Sequence, residues 1–325
     1  MASKAKAEAS TSARKPDEAT KALLFSRAPA EDLAGYGGAA LDKAAELASA
    51  ALKRHRRGES VIDIANDDAV KHDGRPMTVI TVVNDNMPFL FDSVMGEISD
   101  IAGEPALVVH PVLVVEHEGK GVAAVRGETG QGKSDPAADK VSVIHVHVPP
   151  LGAEEVRLLE ERLKTLLVQV KAAVRDWKPM LARLDRAISD FRYAPVPLER
   201  AEVNEAIAFL EWLRDDNFTF LGMREFTYSG GEKSGTLEAQ PNGLGVLADP
   251  NVRVLRRDVE GARTTPEIRA FLHGPEPLIV TKANTKSVVH RRAYLDYIGI
   301  KTYDQHGKLA GELRVVGLFT STAYT

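Results

Sequence analysis

Three runs rich in β-branched residues constrain this chain more than any other feature: TVITVV at residues 78–83, ALVVHPVLVV at 106–115 and VSVIHVHV at 141–148. Each reads as strand, because Val, Ile and Thr lose rotamer freedom in a helix and pack well on a pleated surface. A shorter run at 122–125 adds a fourth strand. Helical spacing fills the gaps. After the polar turn Asn84-Asp85-Asn86, Pro88 fits a first helical turn, and Phe89, Leu90, Val94, Ile98 and Ile101 form a stripe that stops at Gly103. A second stripe runs through Val156, Leu159, Leu163, Leu166, Val170, Val174 and Trp177, until Pro179 kinks or ends it. The order strand, helix, three strands, helix predicts an α+β sandwich with helices on one face of a mainly antiparallel sheet.

The flanks extend this picture. Residues 1–30 begin with small and charged residues lacking periodicity and are expected to form a disordered tail. Leu41, Ala44, Ala45, Ala48, Ala51 and Leu52 keep helical spacing, ending in Lys53-Arg54-His55-Arg56-Arg57 and Gly58, where cations meet the negative helix end and glycine supplies a cap. The helix and sandwich should occupy 31–192. Residues 193–198 (YAPVPL) read as an extended linker, since two prolines fix the path and remove donors. A second α+β module is expected over 193–325. Val203, Ile207, Leu210 and Leu213 mark a helix, residues 218–228, 278–281, 293–303 and 312–320 strands, and Asp304-Gln305-His306-Gly307 a hairpin turn. The chain stops soon after that last strand, so the module is expected to be truncated, a piece of something longer.

Composition removes whole chemistries. With no cysteine among 325 residues there is no disulfide, thiolate nucleophile or thiolate-bound metal. A net charge of −4, from 42 basic and 46 acidic side chains, implies no nucleic-acid or membrane partner. No signal-peptide or membrane-spanning run is present, so the expected location is cytoplasmic.

Several motifs compete with plainer readings. Gly127 to Ser134 spells G-x-x-x-x-G-K-S, but Asp135-Pro136 leads into a strand where phosphate binding needs a long helix, which favours a polar loop. Gly35-Tyr36-Gly37-Gly38-Ala39-Ala40 fits a loose dinucleotide pattern with no strand before it, so no cofactor is expected on this chain. His145 and His147 share one strand face, with His110 and His117 on another strand. Lone strand histidines are more often packed or surface positions than ligands, and no metal is expected. No nucleophile elbow or triad is visible. Two effector sites are expected instead. In the strand-to-helix turn Asn84, Asp85, Asn86, Met87 and Pro88, backbone amides at a positive helix end can receive a carboxylate; the alternative is a plain cap made by Asn86. Arg291 and Arg292, near Lys282 and Lys286, can hold an anion or simply be solvated edge charges.

Residues 78–98 (TVITVVNDNMPFLFDSVMGEI), 110–113, 173–180 (AVRDWKPM), 209–226 (FLEWLRDDNFTFLGMREF) and 277–325 resemble, in order, the N-terminal region of the large bacterial NAD-specific glutamate dehydrogenases. The resemblance implies an ACT-like first domain, then a PAS-like or second ACT-like module, joined by helices. It further implies that the catalytic domain, with its NAD, lies on chain beyond these residues. The partners implied are that C-terminal domain and other subunits of a homo-oligomer, with an amino-acid effector. A free-standing sensing module without activity is the alternative. In one respect the sequence departs: ACT domains that bind amino acids usually carry glycine just after the proline of the first turn, and here Phe89 follows Pro88. Its bulk favours a packing or subunit contact at that turn.

Overall fold

The computed structural model describes residues 14–119, 121–129, 138–231, 233–252, 254, 264 and 266–320. It divides into two compact units, Met1–Leu167 and Val168–Thr325.

In the first unit, helices α1 (Pro16–Leu23), α2 (Ala30–Leu33) and α3 (Gly38–Arg54) precede the strands β1 (Val61–His72) and β2 (Arg75–Asp85). Helix α4 (Leu90–Ala102), strands β3 (Leu107–Val109), β4 (Val112–Glu118), β5 (Gly121–Glu128) and β6 (Asp139–Val148), and helix α5 (Ala153–Arg175) follow. The antiparallel sheet has the order β1-β2-β6-β4-β5, with β3 also on β6. Strands β3 and β4 lie end to end along one edge of β6, so the single strand expected at 106–115 is interrupted at His110-Pro111. Pro111 has no amide to give the ladder, and only its carbonyl is used, accepting from Val143 N at 3.0 Å.

Helices cover both faces of this sheet, which corrects the one-sided sandwich expected from element order. Val79, Val83, Val141 and Val143 share a core with Ala44, Ala45, Ala48, Ala51 and Leu52 of α3. Their neighbours Ile80, Val82, Ile144 and Val146 point the opposite way and are equally buried, as are Leu90, Val94 and Ile98 of α4 and Leu159, Leu163 and Leu166 of α5. Strands buried on both faces read as continuous apolar runs, the texture of β2 and β6. The alanines of α3 let its backbone approach the sheet closely. The tail expected over residues 1–30 is also corrected from Pro16 onwards: α1 packs Ala19 into the same core, with Leu24 beside it. Strand β1 escaped the sequence reading because it lies at the sheet edge, half exposed, with polar residues throughout and a register shift between Asp67 and Lys71.

In the second unit, α5 gives way at Asp176 to helix α6 (Trp177–Tyr193), followed by helix α7 (Arg200–Trp212) and a π-turn at Leu213–Asn217. Pro179 thus begins a helix rather than only ending one, since the first turn has no use for its missing amide. Strands β7 (Phe218–Gly231), β8 (Ser234–Ala239) and β9 (Leu244–Gly245), helix α8 (Pro266–His273), and strands β10 (Leu278–Lys286), β11 (Tyr294–Tyr303) and β12 (Leu309–Phe319) complete it. Its antiparallel sheet has the order β10-β11-β12-β7-β8, with β9 on β7. Met180, Leu184, Ile188 and Phe191 of α6 and Val203, Ile207 and Leu210 of α7 cover Phe218, Phe220, Ile298, Ile300, Leu313 and Val315 on one face. Helix α6 therefore belongs to this unit's core, upstream of the 193–198 segment read as the boundary. The hairpin at Asp304 forms as expected: Asp304 N donates to Lys308 O at 2.9 Å and Gly307 takes φ +77°.

Candidate functional site

The turn between β2 and α4 is built by three separate segments. Asn84 is fully buried; its Oδ1 accepts from Ser60 Oγ at 2.6 Å and its Nδ2 donates to the Asp85 carbonyl at 2.7 Å. Asp85 Oδ2 accepts from the Gly58 amide at 2.7 Å, and Asn86 N donates to the Lys140 carbonyl of β6 at 2.8 Å. Asn86 and Pro88 are exposed and Met87 is half-buried. The helix cap falls on Phe89, not Asn86, and the Phe89 side chain makes no capping hydrogen bond. Phe89 has φ +67°, the left-handed region that favours glycine. The backbone at this position thus keeps a conformation that suits glycine, while the residue is a bulky aromatic. Beside it, the Phe91 ring stacks on His110 with centroids 4.7 Å apart, and His110 bonds Ser142. Burial holds His110 below its ordinary value, against the opposing charge of Asp92.

Of the four histidines, His145 and His147 join in one chain, His117 meets His55, and His110 bonds Ser142. His145 and His147, both fully buried, meet Nε2 to Nε2 at 2.9 Å. His145 Nδ1 lies 2.9 Å from Thr81 Oγ1, and His147 Nδ1 lies 3.0 Å from the Tyr36 hydroxyl. Hydroxyls accept or donate as required, so this chain is satisfied with both rings neutral. Burial drives His145 well below the usual imidazole value, aided by His147, and brings His147 down to about 4, aided by His72. Gly35 is needed here: a Cβ would stand 2.3 Å from the His72 ring, which leans against Tyr36. The first glycine of the loose dinucleotide pattern therefore makes room for a side chain of this fold. His117, with His55, forms a second pair at the end of α3. Among the described residues, no group of three or more His, Asp or Glu is arranged to hold a metal ion. Lys133 and Ser134 of the G-x-x-x-x-G-K-S stretch lie outside the described residues.

In the second unit, Arg291 donates to the Phe319 carbonyl at 2.6 Å and is exposed, while Arg292 is half-buried. Sequence reasoning missed a cleft in this unit, where α6 faces the sheet. Its walls include Arg183, Arg186, Asp190, Glu225, Lys301 and Tyr303 around about 470 Å³ of space open to solvent. Burial raises the Asp190 carboxyl above its usual range against the pull of Arg186, lifts Tyr303 to about 12 and lowers Lys301 to about 8. No linear spacing announces this cleft, because one helix and three strands supply it. The basic cluster at 53–57 is spent on carboxylates: Lys53 pairs with Asp17, Arg54 with Asp63, Arg56 with Glu59 and Arg57 with Asp139.

The chain is thus an ACT-like module followed by a β-rich module with an antiparallel sheet, connected by helices. Residues 21–163 match the family model for the ACT1 domain of glutamate dehydrogenase. The chain as a whole is homologous to the N-terminal region of large NAD-specific glutamate dehydrogenases. It is 30% identical over 278 residues to the NAD-specific glutamate dehydrogenase of Pseudomonas aeruginosa, a match covering 84% of this chain and 17% of the relative. It is 34% identical over 277 residues to the enzyme of the same name from Halomonas elongata, covering 81% of this chain and 16% of the relative. The chain therefore spans about a sixth of the length of the curated relatives it matches.

Proposed function

We propose that this chain is the regulatory and assembly portion of a large NAD-specific glutamate dehydrogenase. The complete enzyme would oxidise L-glutamate to 2-oxoglutarate and ammonium with NAD, in the cytoplasm, on a catalytic domain that these residues do not supply. The observation that carries the reading is the ACT1 match over 21–163 within a homology confined to about a sixth of each relative. In this reading the partners are the catalytic domain and other subunits of a homo-oligomer. An amino acid or small anion is the effector, with Asn84 to Pro88 in one module and Arg291 with Arg292 in the other as its candidate sites. The purified chain should form no NADH from glutamate and NAD; turnover by the chain alone overturns this division of labour.

A second reading is a free-standing sensing module, with the Asn84–Pro88 turn at the start of α4 as its candidate site. Calorimetry with a panel of amino acids tests the turn directly. Phe89→Gly, which suits the left-handed backbone and clears the aromatic bulk, should tighten any binding there. Silence of both proteins across the panel leaves the turn a packing contact.

A further inference from the structure

Where α6 faces the second sheet, its charged residues divide by what they meet. Arg183 donates to the Asn242 carbonyl at 2.9 Å with Glu225 beside it at 3.4 Å, Asp185 pairs with Arg214 at 3.2 Å, and Arg192 pairs with Glu211. Arg186 and Asp190, which both border the cleft, form no ion pair with each other or with another described residue. The place of Asp190 is locally unfavourable. It stands in the last turn of α6, at the negative end of the helix, and one turn after Arg186, the weaker order for such a pair. Burial raises its carboxyl above the usual range against the pull of Arg186. No contact within the described chain offsets that cost. From the strands, Thr302 and half-buried Tyr303 bring hydroxyls to the cleft that make no hydrogen bond among the described residues. Between them the surface is apolar, with Phe191, Val196 and Leu313. Lys301 also borders the cleft, but its ammonium donates to the Gly274 carbonyl at 2.6 Å beside the Phe271 ring.

We infer that this cleft binds a small zwitterion, an α-amino acid with an apolar side chain, whose ammonium meets Asp190, whose carboxylate meets Arg186 and the Tyr303 hydroxyl, and whose side chain lies on Phe191, Val196 and Leu313. A ligand with one charge would satisfy one of the two α6 side chains and leave the other as it is. An α-carbon carries both charges close together, and residues four apart on a helix are neighbours on its face. Each end then gains a charge-assisted hydrogen bond, the stronger kind. The space of about 470 Å³ is open to solvent, so a small molecule enters without any element moving. In the second module this site stands ahead of Arg291, whose guanidinium is already on the Phe319 carbonyl. Calling the ligand an effector rests on the regulatory reading; the binding itself does not.

Calorimetry and thermal shift of the 325-residue chain with L-leucine and L-methionine test the inference. Both amino acids should bind. Isocaproate and isoamylamine, which keep the carbon skeleton of leucine but lack its ammonium or its carboxylate, should bind at least about tenfold more weakly, each having lost one charge-assisted bond. Asp190→Asn and Arg186→Gln, both at exposed positions, should keep the melting temperature and weaken L-leucine by a similar factor, while Phe89→Gly in the first module leaves that affinity unchanged. Neither heat nor thermal shift with either amino acid at millimolar concentration overturns the inference. So does equal affinity for either analogue, or affinity that survives both cleft substitutions. If a variant melts early, the two analogues on the unaltered chain still decide. NADH formation by this chain would sink the division of labour and leave the cleft standing, and silence in the cleft leaves that division standing, so the two fail separately.

Discussion

Glu312 and Arg314 place opposite charges two residues apart on the face of the second sheet that turns away from α6 and α7, each 2% exposed. Arg314 Nε donates to Glu312 Oε2 at 3.1 Å, the Tyr297 hydroxyl donates to Oε1, and the guanidinium lies 3.8 Å from the centre of the Phe226 ring. Removing one member of such a pair strands the other in a low dielectric. Glu312→Ala should therefore weaken the second unit by about 3 to 5 kcal/mol, read as a fall in its urea midpoint. A loss under about 1 kcal/mol would mean that the pair is wet, since that is the usual range for exposed pairs. Nothing in the sequence separates this pair from the many Glu and Arg on exposed strand faces. It is buried only because other elements cover that face.

Among the elements, α3 shows how local pattern becomes packing. Its small residues, with Ala44, Ala48 and Ala51 at 0% exposure, set its distance from β2 and β6. Ala48→Leu adds volume where the sheet leaves none and should cost about 1 to 3 kcal/mol of first-unit stability, measured by thermal melting. An unchanged melting temperature would refute close packing at this contact. Helix α3, helix α4 and strands β2 and β6 were legible because their apolar spacing matches one period throughout. Strand β1 was not, since every residue of it but Val70 is at least partly open to solvent and its register shifts after Asp67. The split of β3 from β4 was written plainly in Pro111, yet the apolar residues on both sides outweighed it in the reading. In the second unit, the stop at Asp176 depends in part on a contact far along the chain: its carboxylate accepts from the Gly245 amide at 2.9 Å as well as from the adjacent Arg175 Nε at 2.7 Å.

Over the whole molecule, the two units should answer acid differently, because the buried histidines with strongly lowered proton affinity lie in the first. A ring that is neutral in the fold and protonates freely when unfolded stabilises the fold above the unfolded value of about 6.5 and loses that contribution as pH falls. For His147, brought down to about 4, the loss between pH 7.5 and pH 5 is on the order of 2 kcal/mol, and His145 adds in the same direction. Hydrogen exchange at the two pH values should show β2 and β6 losing protection while β11 and β12 hold theirs. Equal losses in both sheets would place the acid sensitivity elsewhere.

The sequence by itself determined the class of each module, the positions of the apolar strands and helices, and the kinship with glutamate dehydrogenase, because these rest on periodicity and on ordered stretches of residues that need no third dimension. The resemblance found in five stretches agrees with the ACT1 match. Only the tertiary structure decided what the polar residues do. Spacing put His145 with His147 and left His55 and His117 unconnected; folding ended the first pair on two hydroxyls and brought the second together with Asp139 on His117. Which end groups a ring meets sets how many protons it needs, and those groups come from strands and loops tens of residues away. A local pattern carries no trace of such partners, whereas burial of an apolar face is demanded wherever that face occurs.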